Sequence, residues 1–123
     1  MLEIRPGTAI DVVQGSRPVL AARIVDRNGE PFDLTNYDTL KLMAKRFSTD
    51  PDAAALFDYT LTITAAADGE VTIPFDVAGT VNPGDFPATL RIWLTASDPA
   101  TDHPDEAYAL TVAIAETMVE ADK

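Results

Sequence analysis

His103 is the only histidine in the chain, and it stands among Asp98, Asp102, Asp105 and Glu106. An imidazole beside several carboxylates is a grouping that can relay a proton or ligate a transition metal. Acid–base catalysis further needs an oriented nucleophile or a pocket on which the groups converge. Here Pro99 and Pro104 interrupt the segment, and Pro with Asp is the composition of an exposed turn. The cluster reads as the solvated tip of a loop.

Asp26-Arg27-Asn28-Gly29-Glu30 sets three oxygen-bearing side chains at alternate positions, a superficial likeness to a calcium loop. It lacks the distal bidentate Glu and the glycine position of an EF-hand, so a hairpin turn is expected. Asp50 and Asp52 are read the same way. Ser16, Ser48 and Ser97 all fall in expected turns, and none sits in a Gly-x-Ser-x-Gly elbow. The six glycines are isolated and form no phosphate-binding loop. Cysteine is absent, which excludes disulfides, thiolate-held zinc and thiol catalysis. No catalytic, cofactor-binding or metal-ligating residue is assigned, and a non-enzymatic protein is expected.

Twenty acidic against nine basic residues give a formal charge of −11. Such a surface repels phosphate backbones and anionic bilayers, so neither nucleic acid nor membrane is an expected partner. The carboxylates are dispersed, as loop tips and solvated strand faces would be. No apolar run approaches the roughly 18 to 20 residues that span a bilayer. Arg5 and Pro6 interrupt any signal-peptide core, so no export signal is expected. At 123 residues and 46% apolar content, the chain suits one domain over 1–123 with a core of its own.

The elements that would hold these loops are strands. Leu20 and Ile24 share one face of a period-two segment from Pro18 to Asp26, which Asn28-Gly29 then reverses. Leu40, Leu42 and Ala44 form the inward face of a second segment from Thr39 to Phe47, leaving Lys41 and Lys45 outward. Residues 48–55 read as a long loop with a helical turn after Asp50-Pro51. Phe57, Tyr59, Leu61 and Ile63 alternate with Asp58, Thr60, Thr62 and Thr64, and Asp68-Gly69 turns this strand back into Val71, Ile73 and Phe75. Pro74 has no amide hydrogen, so the return strand should lie at an edge or end there.

Residues 76–85 read as a crossing between sheets. Ala88, Leu90, Ile92 and Leu94 oppose Thr89, Arg91, Trp93 and Thr95 in the next strand, and a last strand alternates from Glu106 to Val119. With a short strand around Ile10 to Val13, the pattern predicts an all-β fold, an immunoglobulin-like antiparallel β-sandwich of about seven strands. Trp93 falls opposite the apolar face of its strand, where it is either a core anchor or a partner-facing aromatic. Trp93, Tyr37 and Tyr108 are the candidate partner-binding residues.

Five turn motifs in order carry a family resemblance. Val12-Val13-Gln14-Gly15 precedes the first long strand; Asp26-Arg27-Asn28-Gly29-Glu30-Pro31 follows it, and Asp33-Leu34-Thr35 leads into the next. Asp68-Gly69-Glu70-Val71 and Pro83-Gly84-Asp85-Phe86 come later. This string resembles the N-terminal domain of phage baseplate upper proteins over most of the chain. The resemblance implies an immunoglobulin-like sandwich that attaches a larger component to the virion. The partners it implies are other phage structural proteins and further copies of the chain as a homo-oligomer. The location is the virion, in a baseplate, tail, neck or capsid-surface position. No receptor-binding extension after Lys123 is expected. The alternative from the residues alone is an adhesive sandwich binding glycan or calcium, with Trp93, Tyr108 or Tyr37 stacking on sugar rings.

Overall fold

The computed structural model describes residues 2–116. Among them nine strands build two facing sheets. They are β1 (Leu2–Ile4), β2 (Ala9–Val13), β3 (Val19–Ile24), β4 (Tyr37–Ala44), β5 (Phe57–Thr60), β6 (Thr62–Ala65), β7 (Glu70–Pro74), β8 (Gly84–Leu94) and β9 (Glu106–Ala115). One sheet runs β1-β3-β7-β6, the other β2-β9-β8-β4-β5. The strands β3, β7, β6 and β9, β8, β4 reproduce the two-sheet connectivity of an immunoglobulin-like sandwich.

Two segments account for the strand count exceeding seven. The N-terminal stretch pairs first with β3 and then, after a reversal at Pro6-Gly7, with β9 in the opposite sheet. Both pairings are parallel, so the sandwich is mixed at two edges rather than wholly antiparallel. Leu2–Ile4 escapes sequence reading because three residues are too few to establish a period. The 57–65 stretch keeps its alternation throughout but changes sheets at Leu61, whose amide still donates to the Leu40 carbonyl. A period of two reports which residues face inward and is silent about which sheet they join.

The inward sets are otherwise those of the sequence. Leu40, Leu42 and Ala44 of β4 pair with Ile92, Leu90 and Ala88 of β8, and all six are buried. From the other sheet Ala22, Ile24, Val71 and Ile73 close the same core. Pro74 is the last residue of β7, an inner strand, so the missing amide falls where the strand ends. Residues 75–83 cross between sheets, and a 3-10 turn occupies Asp52–Ala54. β9 ends at Ala115; the expected continuation to Val119 lies outside the described residues.

At the β6–β7 turn Gly69 has φ +70°, and a Cβ there would lie 2.6 Å from the Ile24 carbonyl oxygen. Its own carbonyl accepts from the Ile24 amide. This turn is therefore pressed against the end of β3, a contact that only glycine accommodates.

Candidate interaction surface

The strands expose two ends of the sandwich and two outer faces. On the outer face of the five-stranded sheet, side chains at odd positions of β4 and β8 stand next to one another. Lys45 pairs with Asp52 at 2.7 Å, and Arg91 pairs with Asp58 of β5 at 2.8 Å. The Lys45 ammonium, by its hydrogen bond and charge, holds the exposed Asp52 carboxyl below its ordinary value. The Arg91 guanidinium also lies 5.3 Å from the centre of the Trp93 ring, within cation–π range. Its buried Nε has no acceptor among the described residues.

The long β4–β5 loop leans over this face. Together with it Met43, Lys45, Ser48, Asp52, Pro87, Thr89 and Arg91 enclose a concavity of about 130 Å³. That is well below the roughly 300 to 1,000 Å³ of a cofactor or small-molecule pocket, and closer to room for one side chain. An open depression at the opposite end, lined by Thr35, Asn36, Leu94, Thr95 and Ala96, holds no ionisable group.

The three aromatic residues picked from sequence are placed differently from one another. Trp93 points away from the core, as the alternation requires, yet is only 3% exposed. The loop after β8 folds over it, and its indole N–H donates to the Asp102 carbonyl at 3.0 Å. Tyr108 faces the core and is buried, with its hydroxyl donating to the Val25 carbonyl. Tyr37 is half-buried and packs edge-on against Phe32 at 5.3 Å. Neither Trp93 nor Tyr108 offers a ring to a partner in this conformation. Alternation puts a ring on a face, but it carries no information about a loop that returns to cover that face.

The acidic loops are committed to their own backbones. Asp105 Oδ2 accepts from the Leu94 amide and the Ser97 hydroxyl, and Asp102 Oδ2 accepts from the Asp98 amide. Asp26 Oδ1 accepts from the amides of Asn28 and Glu30, closing the turn at Gly29. The hydroxyl and amide of Thr35 likewise lower the Asp33 carboxyl. His103 is exposed. Among the described residues, no group of three or more histidine and carboxylate side chains is placed to hold a metal ion.

One constellation escaped the sequence reading. The Tyr59 hydroxyl donates to Asp76 Oδ1 at 2.8 Å, and the same oxygen accepts from the Gly79 amide at 2.7 Å. Burial pushes the Tyr59 phenol from 10.0 up to about 12. Thr80, fully buried, donates to the Ser16 carbonyl and so ties the β7–β8 connection to the β2–β3 connection. The three-residue spacing from Asp76 to Gly79 is a side-chain-to-backbone turn signal; the tyrosine that completes it is far away in sequence.

No family model matches the chain, and no curated protein matches it. Among solved structures, the N-terminal domain of phage TP901-1 ORF48 is similar with a TM-score of 0.63. The likeness covers 93% of each chain at 10% sequence identity. A cysteine protease inhibitor from Entamoeba histolytica, EhICP2, aligns at a TM-score of 0.44 and 12% identity, over 92% of this chain and 91% of that one. The first of these shows that the chain shares its sandwich fold with a phage protein domain.

Proposed function

We propose that this chain is a non-enzymatic structural module of a phage particle, an assembly or attachment domain of the baseplate, tail, neck or capsid surface. The observation that carries the reading is the likeness of nearly the whole fold to the N-terminal domain of a phage protein. The ordered turn motifs, read independently from sequence, point to the N-terminal domain of phage baseplate upper proteins. The two lines agree in source and in fold.

The site geometry supports binding over chemistry. The carboxylates nearest His103 are spent on loop backbone, and the concavity beside Arg91 is of side-chain size. In this reading the partners are other phage structural proteins and the location is the virion. The adhesive alternative finds little support, because the rings of Trp93 and Tyr108 that would stack on sugars are buried.

Mass spectrometry of purified particles from the phage or prophage that encodes the chain tests the proposal. Peptides from the chain at a fixed ratio to a major virion protein are expected. Abundant chain in the lysate with none in the particles would end the reading.

A further inference from the structure

The sequence holds three asparagines, Asn28, Asn36 and Asn82, and one Asp-Gly pair, Asp68-Gly69. Asparagine is chemically thermolabile. The main-chain nitrogen of the next residue can close a five-membered ring onto the side-chain carbonyl carbon, and this needs a small successor with room to move. Aspartate before glycine cyclises in the same way, more slowly. The fold treats the four pairs differently. Asn82 precedes Pro83, whose nitrogen has no hydrogen to give up. Asn36 precedes Tyr37, whose ring packs on Phe32 and whose amide donates to the Leu34 carbonyl at 2.9 Å. Asp68 precedes Gly69, but that glycine is wedged, with its absent Cβ 2.6 and 2.7 Å from the Ile24 and Phe32 carbonyl oxygens.

Asn28-Gly29 has the room the others lack. Both residues are exposed, and apart from chain neighbours no heavy atom lies within 4 Å of where a Gly29 Cβ would stand. Asn28 bonds through its main-chain amide to Asp26 Oδ1 at 2.9 Å, and its carboxamide has no partner among the described residues. Gly29 sits at φ +82°, where a larger successor is strained, so the turn that requires this pair also keeps it reactive.

We infer that Asn28-Gly29 is a site of spontaneous covalent modification, at which the folded chain deamidates to aspartate and isoaspartate. The inference is independent of the reading of the chain as a phage module. Solvent base takes the Gly29 amide proton, and the nitrogen attacks Asn28 Cγ. The Cγ–Nδ2 bond breaks, and Nδ2 leaves as ammonia with a proton from water. Water then opens the succinimide. Opening at Cγ gives aspartate; opening at the main-chain carbonyl gives isoaspartate, whose main chain runs through Cγ and is one carbon longer. Nothing is oxidised or reduced, and water is the only co-reactant.

Either product adds a carboxylate beside Asp26 and Glu30. Isoaspartate also lengthens the link between the Asn28 and Glu30 amides, which Asp26 Oδ1 holds together. The turn closed by the Val25–Pro31 bridge is thereby loosened at the end of β3.

The test incubates the full chain for weeks at mildly alkaline pH, folded and in urea, beside Asn28→Gln. Peptide mass spectrometry with electron-transfer fragmentation then locates each conversion and separates isoaspartate from aspartate. In urea both Asn28 and Asp68 are expected to convert. In the folded chain Asn28 should still convert while Asp68 and Asn36 stay intact, and Asn28→Gln should abolish the reaction. The isoaspartate fraction should melt at a lower temperature and exchange the Glu30 amide hydrogen faster than unmodified chain. Asn28 intact in the folded chain, or folding that protects Asn28 as much as Asp68, would overturn the inference. An isoaspartate fraction that melts with the unmodified chain would overturn the loosening assigned to the turn.

Discussion

The Tyr108 hydroxyl donates a 2.9 Å hydrogen bond to the Val25 carbonyl oxygen, from β9 in one sheet to the residue just past β3 in the other. The bond is buried and spans 83 positions of sequence. It pins the two sheets together where the chain leaves β3 for the Asn28-Gly29 reversal. Replacing Tyr108 with Phe keeps the ring and strands the carbonyl, so a loss of about 1–3 kcal/mol is expected. Urea unfolding should show a lower midpoint at unchanged slope. A midpoint equal to wild type would mean that the carbonyl is satisfied in another way.

Gly79 is a second control on packing. A Cβ at this position would lie 1.8 Å from the Tyr59 hydroxyl oxygen and 2.9 Å from Asp76 Oδ1. Gly79→Ala should therefore displace the phenol and destabilise the chain by about 1–3 kcal/mol. In a Tyr59→Phe background the hydroxyl is gone, and the same substitution should cost less. Non-additivity in that double-mutant cycle is the signature sought; strict additivity would show that the clash is relieved elsewhere.

The phenols give a pH dependence at the alkaline side. Burial raises Tyr59 from 10.0 to about 12, and raises Tyr37 and Tyr108 as well. Between those values the unfolded chain has released protons that the folded chain keeps, so the unfolded state binds fewer and stability falls as pH rises. This stabilisation is whole below pH 10 and is lost on the way to about 12. Phenolate absorbance of the folded chain at pH 10 should lag that of the chain in urea. Coincident titration curves would refute the burial.

Trp93 reports on the loop that covers it. Asp105 Oδ2 fastens that loop to the Leu94 amide, and the Asp102 carbonyl holds the indole. Asp105→Ala should cost about 1 kcal/mol. It should also shift the emission of the only tryptophan to the red, with greater quenching by iodide. The same substitution leaves the β8 core residues Leu90 and Ile92 untouched, so far-ultraviolet dichroism is expected to hold.

Local rules carried the fold a long way. Alternation at Leu40, Leu42 and Ala44, at Leu90 and Ile92, and from Phe57 to Ile63 named the core-facing residues. Turn chemistry at Asn28-Gly29 and Asp68-Gly69 placed the reversals, and Pro74 marked a strand end. Each of these depends on residues within a few positions of one another, where sterics and hydrogen bonding are decided by the local chain. The same locality made His103 and its carboxylates legible as a loop.

Tertiary structure decided the rest, because the deciding partners are distant in sequence. Whether 57–65 stays in one sheet depends on a neighbouring strand at Leu61, and the parallel pairing of β1 and β2 depends on edges offered by β3 and β9. Trp93 is covered by a loop whose path no periodicity encodes, and Tyr59 meets Asp76 only once both sheets are assembled. The gathering of exposed Val13, Val19, Phe47, Val77 and Val81 at the end that bears the β2–β3, β4–β5 and β7–β8 connections is likewise a consequence of strand direction. Composition supplied those residues, and only the folded chain sorted them.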